Sequence, residues 1–303
     1  MNVVINLSKP ESISSHQALT KVKRFFAARK AGHAGTLDPL ATGVLIVCLN
    51  EATKIARFLS DLDKEYIARL KLGERTDTYD STGRIVEQKD FSRVGETEIY
   101  STLEKLTGHI KQIPPMYSAV KIAGRPLYKL ARKGIDIERP ERAVQILRID
   151  LLSIHMPYLD LRVHCSKGTY IRTLCDDIGK GLRVGAHMVS LQRTKVGDFR
   201  IDDSVSFEEL RNQKDSYYSM DSVLSHLCEI TLDEDSYRKA KNGMPIRTYG
   251  NVAPNLMREG AGRGNACGSQ YVRLKSPRNT LFGIGRLEEG EIRVERLLNT
   301  SSE

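Results

Sequence analysis

GHAGTLDPLATGVL, running from Gly32 to Leu45, is the stretch from which the rest of the chain is read. Gly35, Gly43, Pro39 and the small polar residues between His33 and Gly43 predict a long irregular loop. The six apolar residues Val44 to Leu49 that follow predict a buried strand. Asp38 stands directly before Pro39, which drives its backbone toward an extended conformation and projects the side chain. Two readings stay open for it. Asp-Pro pairs commonly initiate turns, yet a carboxylate is ionised near neutral pH and can attack electrophilic carbon without a metal or an activating base.

Upstream, Ser15 is expected to cap a helix starting at His16, with Ala18, Leu19, Val22, Phe25 and Phe26 on one face and Lys21, Lys23 and Arg24 largely opposite. Downstream, Glu51 to Leu62 has helical spacing, and Tyr66 to Leu72 alternates like a half-buried strand. DTYDSTG, Asp77 to Gly83, is turn material, and Ile99 to Leu106 fits a helix leading to Gly108. Leu147 to His155 and Leu159 to Gly168 alternate as two strands joined through Pro157, so an antiparallel pair is expected, followed by a helix over Thr169 to Gly179. Beyond Cys228 the texture changes to short alternating runs between Gly, Asn and Pro clusters, as in a small β-barrel. A boundary there divides the 303 residues into 1–228 and 229–303, and glycine-rich Asn251 to Ser269 reads as a mobile loop.

Forty-seven Lys and Arg against 38 Asp and Glu leave a formal charge of +9, which favours polyanionic partners. The excess gathers in two stretches, Lys121 to Arg148 and Arg162 to Arg200, that interleave charge with apolar residues and tyrosines, which suits a folded basic groove better than a disordered tail; a nucleic-acid partner and a merely solvated basic surface both stay open. The longest apolar run is far short of the ~20 residues of a membrane-crossing helix, and polar residues occupy the first fifteen positions where a signal peptide needs its apolar centre. The expectation is a cytoplasmic protein with no membrane association. Five scattered cysteines without a C-x-x-C pair argue against a disulfide framework or a zinc site. No phosphate loop, zinc-protease helix or nucleophile elbow is present.

GHAGTLDPLATGVL resembles the signature of the TruB family of bacterial tRNA pseudouridine synthases. Similar segments follow in the same order: KEYIARLKLGERTDTYDSTG from Lys64, PPMYSAVKIAGRPLYKLAR from Pro114 and VHCSKGTYIRTLCDDIG from Val163, with LSKPESISSHQAL at Leu7 preceding them. The resemblance implies an α+β catalytic domain built on a mixed, mainly antiparallel central sheet, followed by a small PUA-like β-barrel carrying KNGMPI and LFGIGRLEEGEIRVERLL. It implies isomerisation of the uridine at position 55 in the T loop of tRNA, with no cofactor and no metal.

Residue by residue, the resemblance makes Asp38 the catalytic carboxylate and Arg172 its ion-pair partner. Tyr66 would stack on the flipped uracil, Tyr170 and Leu191 would line its pocket, and His33 would fill the space the base vacates. A uridine inside a folded RNA arm must be extruded before a side chain reaches its glycosidic bond, so a stacking replacement is physically required. Lys121, Arg125, Lys129 and Arg132 would hold phosphates of the T arm, adding affinity and salt dependence rather than base identity. One subunit supplies pocket, stacking residue and groove, so a monomer is expected. The rival reading is an RNA-binding protein or RNA chaperone without catalysis. A glycosidase is disfavoured, because it calls for paired carboxylates.

Overall fold

The computed structural model describes residues 1–118, 120–122, 124–131, 134–212, 217–247 and 270–299. In the first half the elements are β1 (Val4–Lys9), α1 (Ser15–Phe25), β2 (Ala31–Ala34), β3 (Thr42–Leu49), α2 (Ala56–Ser60), β4 (Lys64–Leu72), β5 (Glu74–Thr76), β6 (Ile85–Gln88), α3 (Glu96–Lys105) and β7 (Gly108–Gln112). The short β8 (Lys121–Ile122), β9 (Arg125–Pro126) and α4 (Leu127–Ala131) follow. Then come β10 (Arg142–His155), β11 (Tyr158–Cys165), α5 (Ile171–Gly181), β12 (Ala186–Val196), β13 (Phe199–Arg200), β14 (Tyr217–Tyr218) and α6 (Met220–Val223). The chain closes with β15 (Cys228–Thr231), α7 (Glu234–Lys241), β16 (Ile246–Arg247), β17 (Tyr271–Lys275), β18 (Leu281–Glu288) and β19 (Glu291–Leu297).

The fold is α+β. Its central sheet runs β14-β1-β3-β12-β4-β11-β10-β7, with β2 beside β3 and β13 beside β12. Every pairing is antiparallel except β12 with β3, where Gln192 faces Thr42 and Arg193 faces Gly43. β4 forms because its alternation turns Tyr66, Ala68, Leu70 and Leu72 into the core under α1 and α5. β3 is apolar on both faces for a different reason. Leu45, Val47 and Leu49 enter that same core, while Val44, Ile46 and Cys48 face a second core completed by Phe58, Leu224 and the C-terminal residues Leu281, Ile284 and Leu298.

The C-terminal residues form a curled half-barrel sheet in the order β15-β17-β18-β19-β16, around Ile230, Val272, Leu274, Phe282 and Ile292. It is seated on α2 by an edge-to-face contact of Phe58 with Tyr271 at 5.1 Å and by an ion pair of Arg57 with Glu295 at 2.7 Å. No helix among the described residues is long and apolar enough to cross a membrane.

Several expectations shift. The loop predicted from His33 is a strand as far as Ala34, because the backbone of AGHA pairs antiparallel with β3 and needs no apolar side chain to do so. The strand expected at Val44 therefore starts earlier, at Thr42. The cap of α1 is Ser14, in a reciprocal capping box with Gln17. Ser15 bonds elsewhere. The helix expected over Glu51 to Leu62 is a 3₁₀ turn, Asn50–Ile55, followed by the short α2. Cys48, Cys165 and Cys175 are free and buried, whereas Cys228 is disulfide-bonded, an exception to the reading of unbridged cysteines. The glycine-rich stretch 251–269 lies outside the described residues.

Candidate active site

Residues 35–41 leave β2 through Gly35, whose φ of +87° and whose approach to Arg193 both suit a residue without a side chain; a Cβ would stand 3.2 Å from Nη1 of Arg193. Arg193 is buried in β12. It donates from Nη2 to the Gly35 carbonyl at 3.0 Å and from Nε to the Val44 carbonyl at 2.7 Å, tying the loop's entrance to the strand after it. Ser15 Oγ accepts from the Leu37 amide at 2.8 Å and donates to its carbonyl at 2.9 Å. Lys9 Nζ donates to the Pro10 and Ile13 carbonyls at 2.8 Å and reaches the Pro39 carbonyl at 3.4 Å. Burial pulls the Lys9 ammonium down to about 8, with the Asp38 charge working the other way. Asp38 thus projects from a loop fixed at both ends.

Its carboxylate faces Arg172, the second residue of α5. Nη2 donates to Oδ1 at 3.1 Å, and Nε lies 2.9 Å from Oδ2 as a charge contact rather than an aligned hydrogen bond. Arg172 is itself held at 4% exposure by the Tyr117 carbonyl (2.8 Å), the Thr78 carbonyl (3.3 Å) and the Asp80 carboxylate (3.2 Å). Asp80 in turn accepts from the hydroxyls of Thr78 (2.8 Å) and Thr82 (2.6 Å) and from the Thr82 amide (3.0 Å). Desolvation raises the Asp38 carboxyl above the usual carboxylate value; Arg172 opposes that rise and the Asp80 charge adds to it. Arg172 therefore favours the ionised form without overturning the effect of burial.

Two cavities meet at this pair. The smaller, about 370 Å³, is walled by Lys64, Tyr66, Tyr170, Leu191 and Arg193. The larger, a cleft of about 970 Å³, is bordered by His16, His33, Leu40, Thr82, Arg84 and Tyr117. Thr36, Leu37, Asp38, Ser118 and Arg172 belong to both. Tyr170, capping α5, is positioned through its backbone: its amide donates to Gln112 Oε1 at 2.9 Å, and Gln112 Nε2 donates to its carbonyl at 3.2 Å. Burial lifts both tyrosines above the ordinary phenol value, so they stay protonated, with the Arg193 charge partly offsetting this at Tyr66. Burial, then the charges of Arg193 and His16, lowers His33, whose buried Nδ1 has no hydrogen-bond partner among the described residues. Its imidazole is neutral at pH 7.

Five of the anticipated residues, Asp38, Tyr66, Tyr170, Arg172 and Leu191, thus surround one cavity, and His33 borders the other. His33 does so from β2, paired with Val47, and not from a protruding loop. Arg125 and Lys129 are exposed on β9 and α4 and line neither cavity. The Lys121 side chain and all of Arg132 lie outside the described residues. Asp80, Arg193, Lys9 and Lys64 were not singled out in the sequence. Among the described residues Asp38 is the only carboxylate that lines the smaller cavity, Asp80 bordering the larger, so no second carboxylate stands there for paired acid–base hydrolysis.

Residues 23–171 match the model of the TruB family pseudouridylate synthase N-terminal domain, and residues 172–230 match that of the tRNA pseudouridylate synthase B C-terminal domain. A tRNA pseudouridine synthase B of Saccharophagus degradans is 47% identical over 314 residues, covering 98% of this chain and 96% of that protein. One from Haemophilus influenzae is 40% identical over 308 residues, covering 99% and 96%. Among solved structures, a Cbf5–Nop10–Gar1 complex superposes with a TM-score of 0.71 at 26% identity over 97% of this chain and 84% of that one. An H/ACA ribonucleoprotein bound to a substrate RNA containing 2′-deoxyuridine gives 0.68 at 25% identity over 99% and 85%.

Proposed function

The chain belongs to the TruB family of pseudouridylate synthases, and on that premise we propose that it isomerises uridine 55 in the T loop of tRNA, flipping the nucleotide out of the RNA stack and exchanging its glycosidic bond at Asp38. In this reaction the bond from C1′ to N1 breaks, the uracil turns and a bond from C1′ to C5 forms; C5 releases its proton and N1 gains one. The product is an isomer of the substrate. The exchange balances within one nucleoside and draws on no external oxidant or reductant.

One observation carries the reading: a desolvated carboxylate, fixed by a buried arginine, stands where a cavity of about 370 Å³ opens into a cleft of about 970 Å³. The smaller volume suits one extruded nucleotide, and the larger cleft beside it has room for the nucleotides next to it in the RNA. In this account Tyr66 stacks on the flipped uracil, and Tyr170 and Leu191 close its pocket. Asp38 acts on the glycosidic bond, Arg172 orients it, and neutral His33 occupies the gap left in the stack without the cost of burying a charge. Arg125 and Lys129, with Lys121 and Arg132, hold T-arm phosphates. We assign catalysis to 1–228 and additional RNA contact to the PUA-like 229–303, acting as a monomer with tRNA as partner.

Tritium release from carbon 5 of uridine in a T-arm stem–loop tests the assignment. The expected result is stoichiometric release from the wild-type loop and none from a loop in which the only labelled uridines lie outside position 55. Release from other uridines, or tight binding with no release from any, contradicts it.

A further inference from the structure

α5 carries a second buried charge one turn beyond Arg172. Asp176 is fully buried, accepts from Arg75 Nε at 2.7 Å on one carboxylate oxygen, and has Lys180 Nζ 2.7 Å from the other as a charge contact. Arg75 belongs to β5, which runs straight into the turn bearing Thr78 and Asp80, the two groups that grip Arg172. Thr76 Oγ1 closes that turn by donating to the Asp80 carbonyl at 2.7 Å. Two ion-pair rungs therefore join the helix to one segment: Arg172 with Asp80, and Asp176 with Arg75. Between them Tyr79 sits at φ +63°, a left-handed backbone that an aromatic residue seldom adopts, with the Arg75 guanidinium 5.5 Å and the Lys180 ammonium 6.0 Å from its ring centre. Arg75, Tyr79 and Asp176 line neither cavity.

We infer that Arg75 is a positioning residue for the isomerisation: through Asp176 and Tyr79 it sets the 76–82 turn against α5, and so fixes the angle at which Arg172 meets Asp38. The inference rests on the catalytic reading of Asp38 given above. Releasing Arg75 frees the turn, and Arg172 then follows Thr78 and Asp80 away from the carboxylate. Asp38, already raised by burial and faced by Arg172, Lys9 and Asp80, loses part of its opposing charge and rises further. The chemistry weakens while RNA contact stays as it was.

The test compares wild type, Arg75→Gln and Arg75→Lys in single-turnover tritium release from a T-arm stem–loop across pH 5 to 9, with filter binding of the same RNA and a thermal melt of each protein. For Arg75→Gln the expected results are a rate lowered about tenfold at pH 7, an acid limb moved to higher pH and a Kd within about twofold of wild type. Arg75→Lys restores much of the rate and most of the limb. Should Arg75→Gln fail to fold, the smaller limb shift of Arg75→Lys against wild type decides the matter. An unchanged rate and limb in a folded variant, or a lowered rate with the limb unmoved, overturns the positioning role while leaving the synthase reading intact. A silent wild type overturns both.

Discussion

Arg172 meets Asp38 through two nitrogens, Nε at 2.9 Å from Oδ2 and Nη2 at 3.1 Å from Oδ1, although the two residues are 134 positions apart in the chain. The contact joins a loop leaving β2 to the first turn of α5. It sets a favourable charge against the desolvation that raises the Asp38 carboxyl. In the proposed mechanism the ionised carboxylate is the reactive form, so activity is expected to be lost as pH falls through its raised value, with an acid limb above the range of an exposed aspartate.

Arg172→Lys keeps a charge but loses the planar fork that reaches Asp38, Asp80 and two carbonyls at once. With less opposition to burial, Asp38 rises further. The single-turnover rate falls on the order of 10²-fold, and the acid limb of the rate–pH profile shifts to higher pH.

Asp80→Asn moves the limb the other way. The Asp80 charge raises Asp38, so removing it lets the carboxyl fall toward its ordinary value and the limb shifts to lower pH. The amide holds Arg172 less tightly, so the rate at pH 7 still drops about tenfold. Rate–pH profiles of both variants side by side check the pair of signs.

Lys9→Met probes the support under the loop. The Lys9 ammonium falls from 10.5 to about 8 on folding, so between those values the unfolded chain binds the extra proton and wild-type stability gains with rising pH. The variant lacks that gain and leaves the Pro10 and Ile13 carbonyls without their donor. Denaturant titrations at pH 7 and pH 10 are expected to show the variant less stable at both, with the gap wider at pH 10.

Arg125→Ala and Lys129→Ala separate affinity from chemistry. Each is expected to weaken T-arm binding and reduce the slope of log K against log salt by about 1. The single-turnover rate at saturating protein stays unchanged, because neither side chain lines the cavities.

Much of this architecture was legible from alternation and punctuation. β4 reads directly, since Tyr66, Ala68, Leu70 and Leu72 all enter the core. The β10–β11 pair reads equally well, with Leu151 opposite Leu161. β2 was hidden because AGHA has no apolar rhythm and is held by backbone pairing alone. Ser14 outranks Ser15 as the cap by a signal the sequence does carry, Gln17 three residues on, where Ser15 has Ala18; that Ser15 bonds Leu37 instead is a tertiary fact. The 3₁₀ turn before α2 left no mark in the spacing.

The site was legible where a motif carried it and opaque where tertiary partners did. Asp77 to Gly83 reads as a turn and is one, but the role of Asp80 comes from an arginine 92 residues away. Arg193 in LQRTKV looks like a surface cation on a strand, yet it is 1% exposed and knots Gly35 to Val44. Lys9 and Lys64 look like solvated charges and are buried. Nothing in local composition marks a cation that is buried on backbone carbonyls, whether these are distant, as for Arg193, or mostly within four residues, as for Lys9 and Lys64.

Asp38→Asn tests the central claim most directly, because it keeps the size of the side chain and removes only the charge. Tritium release from a T-arm stem–loop would be measured for wild type and variant at saturating protein, with the Kd of each for the same RNA. The account predicts full release by wild type, none detectable by the variant, and Kd values within about tenfold of each other. Release by Asp38→Asn at a rate near that of wild type would show that the carboxylate does not act on the glycosidic bond, and would contradict the account.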